Sequence, residues 1–599
     1  MSDLKEHFEE FEKKHTHKDN PEFQKDLQEI KAKFGTKEYE EQYKQLLIKH
    51  DSETADNVKL SNIIKDVAMI RGKAGDSNLK PAERSNLNEE SEEMIVNFLK
   101  EKYHVVTIRD DDRQGNYETF VYHEGIYKKD AISYLSEDIR KIFGQSYSSQ
   151  KANKIISKIQ VDTFEEAEEF FKEQDVYKIP VLNGILNIKT KKLEAFNPKY
   201  RFFNKLPVVY NPENDCKKIK KFLSDIVKES SDVDLLQEMI GFSILRDYRY
   251  EKAFMLSGNG RNGKSKLLQL IKILLGIENC SSISLQDLEN DDFSKSNLQN
   301  KLVNIAGDIS HEAIKHTGNF KALTGRDLIT ANRKFKNHIK FVNYAKMFFS
   351  ANELPTTYDL TEAFFLRWII IDFPFKFVSE EEYDQAENKS NLKIRNEKII
   401  EDIASEEELS GLLNFALEGL YRLESKRDFT YSKQTEEVKK EWLRKSNSFN
   451  AFCMDCLEED YDSYIVKQDL KSNYVRYCRT HKLKIASDKA IKNILSNTFG
   501  ASESQSSDEN KKRIWTGIKL IEEQGEQGEQ GILPYRQNNI ISIRDEKPCD
   551  TCDTCDSENA VLDEKKKSLT EINNEQGQKL LHDSDKILDE KLEVEVEDI

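Results

Sequence analysis

Between residues 250 and 375 the apolar residues gather into short runs, AFMLS, KLVNIAGD, YAKMFFSAN and RWIIIDF, separated by polar or helically spaced stretches such as KLLQLIKILLG. That rhythm predicts an α/β core with a largely parallel sheet. Upstream the pattern differs. Residues 1–95 are dominated by Glu, Lys, Asp and Asn, with helical spacing in EYEEQYKQLLIKH and VKLSNIIKDVAMI. AGDSNLKPAERSNLNEE reads as a linker before the helix SEEMIVNFLKEKY. From Val105 to Phe202, ETFVYHEGIYKKD predicts a hairpin, DAISYLSEDIRKIFG a helix, and IPVLNGILNIKTKKLEAF strands broken at Asn183-Gly184. Helices through IKKFLSDIVKES and DVDLLQEMIGFSIL lead into a glycine-rich stretch.

The expected organisation is an α/β multidomain chain. A charged helical region spans 1–95, an α+β domain 96–215, the α/β core 216–400 and a helical connector 401–447. A module at 448–520 has three helices followed by RIWTGIKL, the order of a winged helix, and residues 521–599 form an acidic tail. That tail is poor in aromatics and rich in Glu, Gln, Asp and Gly, a composition that favours disorder.

Charge changes the picture only once it is divided. The net charge is −17, but residues 521–599 hold 22 acidic and 9 basic residues, leaving −4 for the other 520. A basic nucleic-acid-facing surface therefore remains open to the folded part. No apolar run approaches the ~20 residues needed to span a bilayer, and MSDLKEHFEE is charged rather than signal-like. The expected location is cytoplasmic, away from membranes. Eight cysteines are too few for a disulfide scaffold. Cys453 and Cys456, and the tandem CDTCDTC (Cys549, Cys552, Cys555), lack the paired knuckles of a zinc site, and repeat expansion accounts for the second group.

Chemistry enters at residues 256–265, LSGNGRNGKS. Strand, GNGRNGKS and helix together satisfy G-x-x-x-x-G-K-[ST] in its required context. Gly258, Asn259, Gly260, Arg261, Asn262 and Gly263 would form a loop whose N–H groups point into one concavity at the positive end of a helix. Lys264 can reach the β- and γ-phosphates and Ser265 can ligate Mg²⁺, so a nucleoside triphosphate, ATP with Mg²⁺, is the expected ligand. Asp308 ends an apolar run 44 residues after Lys264, where a second metal-binding acid would stand. Glu312 is a candidate for polarising the attacking water. Asn352, a further 44 residues on at the next strand end, could hold that water against the γ-phosphate. Arg367 in FFLRW could stabilise charge during phosphoryl transfer in a neighbouring subunit's site.

The ordered set GNGRNGKS, KLVNIAGDIS, FKALTGRD, KMFFSANELP and FFLRW resembles the superfamily 3 helicases, specifically the phage/plasmid-type primase–helicase family related to poxvirus replication proteins. LNGILNIKTKKLEAFNPKYRFFNKLPVVYNPE resembles the domain preceding the ATPase in that family. The resemblance spans roughly residues 100–520. It implies an AAA+-type P-loop ATPase core, a ring that is commonly hexameric, translocation on single-stranded and forked DNA, and possible partnership with a primase or polymerase. It matches Lys264 and Ser265 to the phosphate-loop pair, Asp308 to the metal-binding acid, Asn352 to the sensor and Arg367 to the arginine finger. Two departures stand out. Ile-Ser-His follows Asp308 where the family commonly has a tighter acidic cluster. The first 95 residues hold no zinc knuckle and no strand-borne acidic pair, so primase activity is not expected of them.

Residues 326–346, RDLITANRKFKNHIKFVNYAK, carry six Lys/Arg against one acid, and alternation in FKNHIKF predicts a hairpin. Its tip would present Arg333, Lys334, Lys336 and His338 to DNA phosphates. The net-basic VKQDLKSNYVRYCRTHKLK in the C-terminal module suits either a duplex groove or a protein partner. The leading expectation is an ATP-dependent replicative DNA helicase of a plasmid, virus or integrated element. The alternatives are a DNA-binding initiator that uses ATP only to assemble, and a P-loop small-molecule kinase.

Overall fold

The computed structural model describes residues 37–109, 117–172, 175–310, 312–334, 336–481, 483–506 and 511–521. Most of the acidic tail, with its three cysteines, therefore lies outside the described residues, as do the first 36. The chain divides into two compact units, one through Ala451 and one from Phe452.

The first unit opens with helices Lys37–Ala74 and Pro81–Tyr103. Pro81 suits the first turn, where its missing N–H costs nothing. Together with helices Ala131–Phe143 and Ser149–Asp162 they enclose Leu60, Val67, Ile95, Leu99, Leu135, Ile139 and Ile155. Strands Val106–Arg109, Tyr117–His123 and Ile126–Lys128 make an antiparallel sheet in which Val121 faces Lys128.

The central layer is a five-stranded parallel sheet of β1 (Ala253–Ser257), β2 (Cys280–Ser281), β3 (Val303–Ala306), β4 (Lys346–Ala351) and β5 (Trp368–Asp372), in the order β5-β1-β4-β3-β2. Every residue of β1, β3 and β4 is buried, the polar Ser257, Asn304, Lys346 and Ser350 included, and the strands read as largely apolar runs because the sheet is covered on both faces. The register decides where chemistry can gather. Ser257 pairs with both Ala351 and Asp372, and Ala306 pairs with Phe349. The chain thus leaves β1, β3 and β4 at nearly the same level of one sheet edge.

The hydrophobic core reaches back to Ile179 in the antiparallel sheet Lys178–Val181, Gly184–Asn187, Lys192–Glu194, and forward to Trp442. Helices Ser230–Ile244 and Glu406–Lys426 cross so closely that a Cβ on Gly419 would come 2.5 Å from the Gln237 carbonyl. Buried Glu238 is satisfied there by Arg422 Nε at 2.7 Å and by the Thr430 N–H at 2.6 Å. A buried carboxylate needs such partners.

In the second unit, strands Leu457–Val466, Arg513–Leu520 and Ser502–Gln505 form an antiparallel sheet in that order, with helices Lys467–Thr480 and Asp488–Thr498. The ten-residue strand Leu457–Val466 lies where the sequence pattern suggested only the end of a helix. Its polar residues are spent on an exposed face and a register shift between Glu459 and Tyr464.

Candidate active site

The loop from Gly258 to Gly263 joins β1 to helix α1 (Lys264–Leu275). Two of its glycines are required by geometry. A Cβ on Gly258 would collide with Asn262 and come 2.8 Å from the Phe373 carbonyl. Gly263 has φ +92°, and a Cβ there would lie 2.5 Å from Ile226. Asn262 is buried, and its amide points to the Phe373 carbonyl at 3.5 Å. Asn259, Arg261 and Ser265 are exposed, and Gly260, Asn262, Gly263, Lys264 and Ser265 line one cleft.

Lys264 is the centre of that cleft. Its ammonium donates to the Gly258 carbonyl and, at 3.2 Å, to Asn352 Oδ1, while the residue is only 5% exposed. Burial pushes the amine down to about 8, with Asp308 pulling the other way. Asp308 reaches the same cleft because its backbone adopts φ +54° and its N–H donates to Ser350 Oγ at 3.1 Å. Lys264, Ser265, Asp308 and Asn352, three of them from separate strand ends, are brought together as the spacing of the apolar runs implied.

The rest of the wall was not visible in the sequence. The cleft, about 800 Å³, is closed on one side by Phe222, Phe377, Ile394, Ile399 and Ile403, with Lys218, Lys221, Asp225 and Arg395 among its polar residues. Helix Lys217–Ile226 places Lys218, Lys221, Phe222 and Asp225 at i, i+3, i+4, i+7, one stripe, so the signal existed there. Strands Lys376–Val378 and Leu392–Ile394 pair in parallel and carry Phe377 and Ile394, while the short helix Ile399–Ile403 supplies the other two isoleucines. The combination of a charged end and an apolar end suits a phosphorylated, ring-bearing ligand.

Two expected residues sit elsewhere. Glu312 is exposed and does not line the cleft; its carbonyl accepts from Gln286 at 3.2 Å. The cause is local. After Asp308 the N–H of buried Ile309 is drawn to the Ser350 carbonyl at 2.9 Å, which turns the following residues away. Arg367 precedes β5, and so lies at the sheet edge opposite the cleft. There its Nε donates to Thr324 Oγ1 at 3.1 Å, its Nη1 to the Ala363 carbonyl at 2.5 Å, and its Nη2 stands 3.7 Å from Glu251.

The basic hairpin forms as Leu328–Arg333 against Lys336–Val342, with Arg333 opposite Lys336 and a register shift after Ala331. Lys334 and His338 are exposed. Arg333 is mostly covered and ion-paired with Glu118 at 3.7 Å, so it is partly committed within the fold. Among the described residues no three His, Cys, Asp or Glu side chains gather to hold a metal. Cys453 is buried, and its thiol is pushed up by that burial. No helix among the described residues is long and apolar enough to cross a membrane.

Two family models match separate stretches of the chain. Residues 82–228 match the family model "D5 N terminal like", which includes the helix that walls the cleft. Residues 256–367 match a family of unknown function, DUF5906, whose bounds enclose the phosphate loop, Asp308, the hairpin, Asn352 and Arg367. A 185-residue stretch is 29% identical to "Putative helicase L207/L206" of Acanthamoeba polyphaga mimivirus, covering 29% of this chain and 19% of that relative. Among solved structures, the C-terminal region of NrS-1 aligns over 71% of this chain and 98% of its own at 12% identity and TM-score 0.37. JCV Helicase aligns over 47% and 64% at 12% identity and TM-score 0.19. Neither structural likeness is close enough to specify an activity.

Proposed function

We propose that this chain is an ATP-driven DNA helicase of a replication system, working as a ring of identical subunits. The observation that carries this reading is the convergence of Lys264, Ser265, Asp308 and Asn352 on one cleft with an apolar far wall. The limited identity to a viral protein described as a helicase supports the choice of motor over metabolite kinase.

The donor set fits ATP with Mg²⁺. The Ser265 hydroxyl and the Asp308 carboxylate are hard oxygen ligands, and Mg²⁺ takes few protein ligands because phosphates and waters supply the rest. When bound, Mg²⁺ would neutralise charge on the β- and γ-phosphates. Lys264 then binds the same phosphates, which restores the charge that burial discourages. Asn352, already hydrogen-bonded to Lys264, holds the attacking water with its amide. Positioning with charge stabilisation suffices for a loose phosphoryl-transfer transition state, so the reaction needs no strong general base.

Arg367 cannot serve its own cleft. Five strand residues at ~3.3 Å each separate the two sheet edges by roughly 16 Å. It would act on a nucleotide held by the adjoining copy, and its distant contact with Glu251 is the one such a neighbour must displace. The exposed cations of the hairpin, Lys334 above all, would grip DNA phosphates without reading sequence. The direct test is ATP hydrolysis with and without single-stranded DNA, followed by strand displacement on forked duplexes. Stimulation with unwinding supports the motor. Nucleotide-dependent assembly without turnover, or phosphate transfer to a metabolite, would replace it with an initiator or a kinase.

A further inference from the structure

Arg261 occupies an arbitrary position of the G-x-x-x-x-G-K-[ST] pattern, yet both its backbone and its side chain are held by neighbours. It has φ +49°, a conformation that an L side chain adopts at a cost and that glycine adopts freely. The position would therefore favour Gly unless the side chain were used. It is used. Arg261 Nη1 makes two hydrogen bonds to the Glu382 carboxylate, at 3.1 and 2.9 Å, and the Arg261 carbonyl accepts the Phe377 N–H at 2.6 Å. Glu382 is itself held in place: in helix Glu380–Gln385 it closes a capping box with Ser379, accepting the Ser379 N–H at 3.2 Å.

Both anchors belong to the segment that builds the cleft wall, since Phe377 lines the cleft and Glu382 lies between the paired strands Lys376–Val378 and Leu392–Ile394. Accepting the nucleotide-binding reading above, we infer that Glu382 is a positioning residue for ATP: through Arg261 it straps the tip of the phosphate loop to the wall that receives the base end. The loop is then held in its phosphate-binding shape by the part of the protein that senses the rest of the nucleotide.

Both side chains are about half exposed, at 47% and 48%, so the pair contributes little to global stability and its removal leaves the fold intact. That makes the role separable. The experiment measures binding of a fluorescent ATP analogue, ATP hydrolysis and thermal unfolding for the full chain, Arg261→Gly, Glu382→Gln, Glu382→Asp and the double variant Arg261→Gly/Glu382→Gln. The strap predicts that each of the first two weakens binding about three- to tenfold, that the double variant is no worse than either, and that Glu382→Asp recovers part of the loss. For Glu382→Gln the defect falls on KM more than on kcat, with the melting temperature within about 2 °C of the parent. Arg261→Gly binding as well as the parent would show that the position demands only its backbone shape and would overturn the strap, as would additive losses in the double variant. Should Arg261→Gly fail to fold, Glu382→Gln alone decides. A parent chain that binds no analogue would instead sink the nucleotide reading beneath it.

Discussion

The two edges of the central sheet put buried or half-buried cations to opposite uses. At the edge where β1, β3 and β4 end, Lys264 faces a cleft in which a hydroxyl, a carboxylate and an amide converge from different strands. At the opposite edge, Lys346 is fully buried, donates to the Leu245 carbonyl and sits 4.7 Å over the Phe242 ring, and burial holds its amine well below the ordinary range. Arg367 there is bonded to Thr324 and to the Ala363 carbonyl. A cation whose partners are all local carbonyls and rings is a staple; a cation whose partners arrive from separate strand ends beside open space is a site. Arg367 lies between these descriptions, and the tests divide along that line.

The largest effect is expected at Lys264. Lys264→Ala should weaken triphosphate binding and hydrolysis by about 100-fold or more, since it removes a buried cation that the loop before it aims into the cleft. Next comes Arg367→Ala. If it serves a neighbour's nucleotide, binding persists while turnover falls by about 10³-fold, and mixed rings with Lys264→Ala subunits recover partial activity. If it is only a staple, turnover per folded molecule stays normal and the melting temperature drops by a few degrees, which would place it with Lys346.

Smaller effects sharpen the picture. Replacing Lys334 and Lys336 with Ala should weaken single-stranded DNA binding and lower the slope of log affinity against log salt by about 1, measured by titration at several salt concentrations. An unchanged slope would remove the hairpin from the DNA path. The Lys264 amine, pushed down to about 8, gives a pH signature. Phosphate binding requires the ammonium, so affinity should fall as pH rises above about 8, and binding near that pH should take up a proton, detectable by calorimetry in buffers of different ionisation heat. The stability term has its own sign. Between about 8 and the ordinary lysine value the unfolded chain binds more protons than the folded one, so this group adds stability as pH rises across that interval.

How much was legible follows from where each signal resides. The phosphate loop is local: glycines, lysine and serine adjoin a buried strand and a helix, so pattern and structure agree residue by residue. Asp308 and Asn352 were readable because each follows a largely apolar run, and parallel register brings such ends level. Glu312 misled because its direction depends on the φ +54° turn at Asp308 and on the Ile309–Ser350 bond, both tertiary. The two residues of β2 are too few to leave a period. The wall from Phe377 to Ile403 was illegible for another reason: short strands and loops, contributed one side chain at a time, carry no periodicity. Arg333 illustrates the same limit, since its partner Glu118 is more than two hundred residues away in the chain.

On the proposed function, triphosphate cleavage in this cleft moves the protein along DNA. The most direct test is unwinding of a forked duplex by the full chain, with Lys264→Ala as the matched control. If cleavage drives movement, the parent separates strands in an ATP-dependent way, single-stranded DNA stimulates its hydrolysis, and the control does neither. Hydrolysis indifferent to DNA, with no strand separation on forks bearing either polarity of tail, would contradict it.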